Sequence, residues 1–331
     1  MPIVASSFSP PRALRSAWLQ TVLPPLVRRA QSPHTARETL HLADGDTLEL
    51  AWCPPAPTPQ TPHTSPTPRG VVILSHGLEG SIESHYIVGL ARALASAGFL
   101  TVAWNMRGCG ATQNALPSWY HSGKSDDLAA VVDHVRAQRP TLGLFMVGVS
   151  IGGNILCKYL GEQGVSCRGV VEGAVAISVP LDLRGSAEVL ARPSRRLYME
   201  YLLRPLRARI REKAERFPEL FTTEGLDDIT TFHEFDARYT APLHGFTSID
   251  HYWDTCSGLR YLDGIQVPLL ILTAQDDPFL SASCFPNHLA AQSPGISLET
   301  PKRGGHVGFF DSLRLHTTWL DQRTVSFIGA L

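Results

Sequence analysis

Ser150 lies between two glycines in Gly148-Val149-Ser150-Ile151-Gly152, directly after the apolar run 144–149. A small nucleophile placed where a strand turns sharply into a helix is the pattern of a nucleophile elbow. The turn holds the serine in a strained backbone conformation, and residues two places away on either side must be small to clear it. The hydroxyl then stands out at the sheet edge, at a helix N-terminus that favours developing negative charge. Taken alone, the five residues also fit a glycine-rich strand-to-helix turn with an incidental serine.

A serine hydroxyl is a poor nucleophile at neutral pH and needs a base, normally a histidine held by a carboxylate. Both follow in the chain. After the run 268–273 come Ala274-Gln275-Asp276-Asp277-Pro278-Phe279, so an acid stands just past a buried strand, facing the same edge as Ser150. Asp277 is favoured, because a carboxylate followed by proline and an apolar residue matches the usual post-strand turn. Asp276 is the second candidate, and a polar turn without chemistry is the plainer alternative. Next, Gly304-Gly305-His306-Val307-Gly308 gives a histidine ring room to swing between acid and nucleophile. Of thirteen histidines, His306 has both the order and the setting.

The remaining component is a pair of backbone amides for a tetrahedral intermediate. Ser75-His76-Gly77-Leu78-Glu79-Gly80 follows the strand 71–74, and the expected donors are Leu78 and the residue after the nucleophile, Ile151. His76 is read as orienting this loop, and His85 and Tyr86 as the start of a helix. A second glycine loop, Asn105-Met106-Arg107-Gly108-Cys109-Gly110, matches neither phosphate-binding glycine pattern and reads as a floor to the site, with Arg107 in structural hydrogen bonds. Cys109 has no helix or histidine placed to lower its pKa. No His or Asp cluster has metal-ligand spacing, so neither metal nor cofactor is expected.

The elements that must position these residues follow from the hydrophobic pattern. Strands are predicted at 38–42 and 47–52, joined by the turn Asp44-Gly45-Asp46, and then at 71–74, 99–104, 144–149, 170–179, 267–272 and 296–300. Helices are predicted at 85–97, 126–137, 151–163 and 313–329. Continuous apolar strands alternating with helices imply an α/β class: a mostly parallel sheet covered on both faces. Residues 1–35 read as an extension packing on the core, 36–179 and 267–331 as the core, and 180–266 as a helical cap over the catalytic edge. Phe232, Phe246, Tyr252 and Trp253 in that insertion would favour an apolar acyl chain. Seven prolines between Cys53 and Arg69 predict an exposed, mobile loop.

At 331 residues with 44% hydrophobic content, the chain can bury a sizeable core. A net charge of -1 gives no electrostatic case for nucleic acid. Arg192, Arg195, Arg196, Arg204, Arg207, Arg209 and Arg211 gather locally and read as a solvated helix face rather than an anionic-ligand or membrane patch. Six scattered cysteines suggest reduced thiols. With no leader pattern and no apolar run near the roughly 18 residues of a membrane span, a soluble, cytoplasmic protein is expected.

Together, His76-Gly77-Leu78-Glu79-Gly80-Ser81, the Asn105 to Cys109 loop, the elbow with Gly153-Asn154, Glu234-Phe235-Asp236, Thr240-Ala241-Pro242 and Gly245-Phe246 resemble the YheT-like branch of the α/β-hydrolase superfamily. The similarity extends to Leu19-Gln20-Thr21. It implies an α/β-hydrolase fold, a triad of Ser150, Asp277 and His306, and hydrolysis of carboxylic esters of short or medium acyl chains or of acyl lipids. Some animal relatives are membrane-anchored phospholipases; no such N-terminal anchor is expected here, which weighs against a phospholipid substrate. Two other readings are acyl transfer with the same triad and a non-catalytic binding protein that keeps the fold.

Overall fold

A computed structural model of the chain describes residues 3–28, 31–56, 67–111, 113–293, 295–312 and 317–331. Among them, nine strands form one sheet: β1 (Ile3–Val4), β2 (Ala36–His41), β3 (Thr47–Cys53), β4 (Val71–Ser75), β5 (Leu100–Asn105), β6 (Leu144–Val149), β7 (Gly173–Ile177), β8 (Leu269–Leu272) and β9 (Ile296–Glu299). Their spatial order is β1-β9-β8-β7-β6-β4-β5-β3-β2. All neighbours from β1 to β5 in that order pair in parallel, and β3 runs antiparallel to both β5 and β2. The β2–β3 hairpin turns at Gly45, whose φ of 89° suits glycine, with the Leu42 amide on Asp46 O at 2.9 Å.

The central strands are apolar throughout because both faces are covered. Val71 and Ile73 of β4 join one core, with Leu128, Val131 and Val135 of the helix Ser125–Gln138 and Ile155 and Leu160 of the helix Ile151–Gln163. Val72 and Leu74 face the other side, against Ile87, Leu90 and Leu94 of the helix His85–Ser96 and Leu320 and Ile328 of the helix Trp319–Ile328. A side-chain period of two therefore feeds two cores at once. From β4 the chain moves outward to β5, then crosses to β6 on the other side of β4. This reversal opens a crevice at the carboxyl ends of β4 and β6, where ligands enter open α/β sheets.

Between β7 and β8 the chain is helical: Leu183–Leu190, Arg196–Arg216, Phe232–Phe235, Ala241–Leu243 and Ile249–Cys256, with a π-helical turn at Asp236–Thr240. The structure differs from the sequence reading in places. β7 is shorter than 170–179, because its flanks turn into loops. The last helix starts at Trp319 rather than 313, set by a capping box in which Thr318 accepts from the Asp321 amide; residues 313–316 lie outside the described ones. Most of the proline-rich stretch, 57–66, does so too. The N-terminal segment adds β1, a two-residue edge strand, and the helix Ala17–Val27. Among the described residues no helix is long and apolar enough to cross a membrane.

Candidate active site

Ser150 follows β6 with φ 54° and ψ −123°, a strained combination for a residue with a Cβ. Its amide donates to Ile177 O at 2.8 Å, and its carbonyl accepts from Gly153 at 2.9 Å. A Cβ at Gly148 would collide with the backbone of Gly152 and Gly153, and one at Gly152 with the carbonyls of Ser75 and His76. Backbone proximity, not flexibility, therefore demands these two glycines.

The structure brings Ser150, His306 and Asp277 together. His306 Nε2 lies 3.0 Å from Ser150 Oγ, and Nδ1 lies 2.8 Å from Asp277 Oδ2. A carboxylate only accepts, so Nδ1 donates to Asp277 and Nε2 is left to accept from the serine hydroxyl. Asp277 is buried and also accepts from the Phe279 amide at 2.9 Å. Asp276 lies outside this pairing: it accepts from the Gly305 amide at 2.9 Å, and burial raises its pKa. The Phe279 ring stacks on His306 with centroids 4.2 Å apart.

The histidine loop is held under strain, with φ of 61° at Val307 and 48° at Phe309, while Gly305 takes φ 57° at no steric cost. Its clamps come from far along the chain. The His306 amide donates to Thr21 Oγ1 at 3.0 Å and the Val307 amide to Ser178 Oγ at 3.1 Å. Gln20, buried in the helix Ala17–Val27, accepts from the Phe310 amide at 2.8 Å and donates to Phe310 O at 2.9 Å and Leu14 O at 2.8 Å. One carboxamide thus imitates a β-ladder pair, a role visible beforehand only as a resemblance at Leu19-Gln20-Thr21. Gln20→Ala removes all three bonds and strands the Phe310 amide and carbonyl. The expected result is a kcat lowered on the order of 10²-fold with KM changed less than about threefold, because Gln20 positions the loop that carries His306 against Ser150. An unchanged kcat in steady-state assays contradicts this role.

The turn after β4 supplies the other candidate amides. Gly77 N donates to Tyr86 Oη at 2.9 Å, Glu79 N to Tyr120 Oη at 2.8 Å, and Gly80 N to Gly77 O at 3.0 Å. Among the described residues, the Leu78 amide in this turn has no acceptor, and neither has that of Ile151 at the helix start. His76 is fully buried, its pKa lowered to about 4 by desolvation; its Nδ1 lies 2.7 Å from Gly77 O and its Nε2 accepts from the Met106 amide at 3.1 Å. His85 and Tyr86 begin a helix, and Tyr86 also reaches the site through Gly77. Arg107 is structural, bidentate to Asp127 at 2.8 Å and 2.8 Å. Cys109 is buried, and burial pushes its thiol pKa far up.

The solvated-face reading of the arginines fails at Arg207 and Arg209. Both are buried: Arg207 pairs with Glu200 at 2.8 Å and donates to Ile229 O, while Arg209 grips Glu79 at 3.1 Å and 2.8 Å and donates to Gly108 O at 2.5 Å. Glu79 sits at φ 50° in the turn that carries Leu78. The helix Arg196–Arg216 therefore folds inward over the site and pins that turn, which a run of arginines does not reveal.

Two cavities meet at Ser150 and His306. One is apolar, lined by Leu78, Trp119, Leu183, Leu190, Leu206, Phe232, Phe235, Tyr252, Trp253, Phe279 and Leu280, with Asp236 among them. Phe246 is not part of its wall and packs behind Tyr252, with ring centroids 5.1 Å apart. Asp236 accepts from Trp253 Nε1 at 3.0 Å, and desolvation raises its pKa to about 6. The other cavity is a more polar cleft lined by Thr21, Pro24, Pro25, Arg28, Glu79, Glu83, Tyr86 and Tyr201. Among the described residues, no group of three or more His, Cys, Asp or Glu is placed to hold a metal ion.

The sheet order, the strained serine after β6 and the histidine after β9 define an α/β-hydrolase. Among solved structures, an esterase from Pyrococcus furiosus shares this fold with a TM-score of 0.56 at 16% identity, covering 89% of this chain and 92% of that one. The chain is 33% identical over 323 residues to YheT of Escherichia coli (strain K12), provisionally named an esterase, covering 96% of this chain and 92% of that protein. It is 28% identical over 332 residues to the phospholipase ABHD3 of Mus musculus, covering 100% and 80%. Residues 66–289 match the family described as serine aminopeptidase, S33. The chain belongs to this family, in the YheT-like branch of the α/β-hydrolase superfamily, and is a serine hydrolase of the esterase and lipase type.

Proposed function

We propose that the chain cleaves carboxylic esters with an apolar acyl group through an acyl-enzyme formed on Ser150. The observation that carries this reading is the continuous relay from Ser150 Oγ to His306 Nε2 at 3.0 Å and from His306 Nδ1 to Asp277 Oδ2 at 2.8 Å. His306 takes the hydroxyl proton as Ser150 attacks the ester carbonyl, and returns it to the departing alcohol. Asp277 holds the ring tautomer and stabilises the imidazolium. The Leu78 and Ile151 amides hold the oxyanion. Water, activated by the same histidine, then releases the acid.

The apolar cavity takes the acyl chain and the polar cleft takes the alcohol side. In this reading residues 180–266 act as a cap that walls the acyl cavity, and 1–35 as an extension whose helix supports the histidine loop. Six buried, unpaired cysteines favour a reducing compartment such as the cytoplasm.

A series of p-nitrophenyl esters from acetate to dodecanoate tests the substrate class. kcat/KM is expected to rise from acetate to the medium-length chains, roughly fourfold per buried methylene. A flat profile, or cleavage of an aminoacyl p-nitroanilide in preference to the esters, contradicts the reading. Added alcohol is expected to divert little of the acyl group; a majority of transesterified product indicates an acyltransferase.

A further inference from the structure

We propose that the exposed face flanking the polar cleft docks on an anionic lipid bilayer, presenting the opening above Ser150 to the membrane surface. This rests on the esterase reading only in assigning the cleft a lipid-derived substrate; the docking itself stands on the surface.

Two helices border the cleft, since Thr21, Pro24 and Pro25 of Ala17–Val27 and Tyr201 and Leu202 of Arg196–Arg216 line it together. Both carry large apolar side chains outward. Trp18 is 52% exposed, Leu26 62%, Leu197 80% and Tyr201 68%. Leu197, Tyr201 and Arg204 fall on one face of their helix by the 3.6-residue period. Beneath that face the contacts lead directly to the site: the Tyr198 ring meets Phe279 at 5.2 Å, and Phe279 stacks on His306.

The charge on the helical side of this rim is positive, while the acids lining the cleft itself are paired, Glu79 with Arg209 and Glu83 with Arg37. Arg192, Arg196 and Arg204 are exposed and Arg195 is half-buried. Among the described residues, none of the four has a carboxylate within 4 Å. The acid between them, Glu200, is engaged by Arg207 through both oxygens at 2.8 Å and 3.0 Å. Glu188, on the preceding helix, is the other exposed acid of this stretch. Exposed apolar groups on a helix that also carries arginines without a carboxylate partner match a surface that seats apolar side chains among acyl tails and guanidinium groups against lipid phosphates.

Cosedimentation of the Ser150→Ala chain with vesicles tests this without turnover. Vesicles of phosphatidylcholine with 30% phosphatidylglycerol are expected to retain the protein at low salt at least tenfold better than pure phosphatidylcholine, with retention falling at 0.5 M salt. Arg196→Glu with Arg204→Glu is expected to reduce retention at least tenfold, and Leu197→Ser to reduce it severalfold. In the Ser150-containing background the same variants should hydrolyse a water-soluble butyrate ester within twofold of the parent. No retention on anionic vesicles, equal retention on neutral ones, or retention unaffected by all three substitutions overturns the proposal. Retention without any esterase activity would defeat the function proposed above and leave the docking surface standing.

Discussion

Replacing His306 with alanine is expected to lower kcat/KM for a carboxylic ester by about 10⁴-fold or more, the loss that accompanies removal of the base from such a relay. The magnitude follows from geometry. Among the described residues, no other titratable side chain lies within hydrogen-bond reach of Ser150 Oγ, so none substitutes for Nε2 at 3.0 Å. Ser150→Ala should fall as far, and the double variant no further than either single, because the two groups act as one unit. Steady-state rates with a p-nitrophenyl ester provide the check. Additive losses, or a residual rate within tenfold of the parent, would mean that the pair does not act in one step.

Arg209→Ala is expected to destabilise the fold by about 3–5 kcal/mol, the usual cost of leaving one member of a buried ion pair alone. Arg209 and Glu79 expose only 7% and 12% of their side chains, and Glu79 keeps Tyr120 Oη at 2.8 Å but loses its cation. For a chain of this length that corresponds to a melting temperature lowered on the order of 5 °C. Activity should fall as well, since the turn carrying Leu78 loses its clamp. Arg209→Met with Glu79→Gln should recover much of the stability, because no buried charge is then stranded. Thermal unfolding of the parent, single and double variants measures both effects; a single variant as stable as the parent contradicts the assigned role.

Much of this was legible in the chain because its signals are local. The elbow lies within five residues, and the apolar runs of β4 to β8 announce a sheet buried on both faces. Asp276 and Asp277 could be ranked but not separated, since neighbouring residues in a turn differ only in where their side chains point, and that direction depends on Gly305 and His306 nearly thirty positions later. Arg209 was misread for a similar reason: periodicity shows that a helix is amphipathic, not that Glu79 waits beneath it. Gln20 lies 290 positions from Phe310, and no local pattern marks such a pairing. The two-residue β1 is too short to carry any period.

The central claim is that Ser150 is an activated nucleophile. Incubation with a fluorophosphonate probe, followed by intact-mass and peptide analysis, tests it most directly. One stoichiometric adduct on Ser150 is expected, formed by the wild-type chain and lost in both Ser150→Ala and His306→Ala. A folded wild-type chain that takes no label, or takes it at another residue, contradicts an activated nucleophile at Ser150.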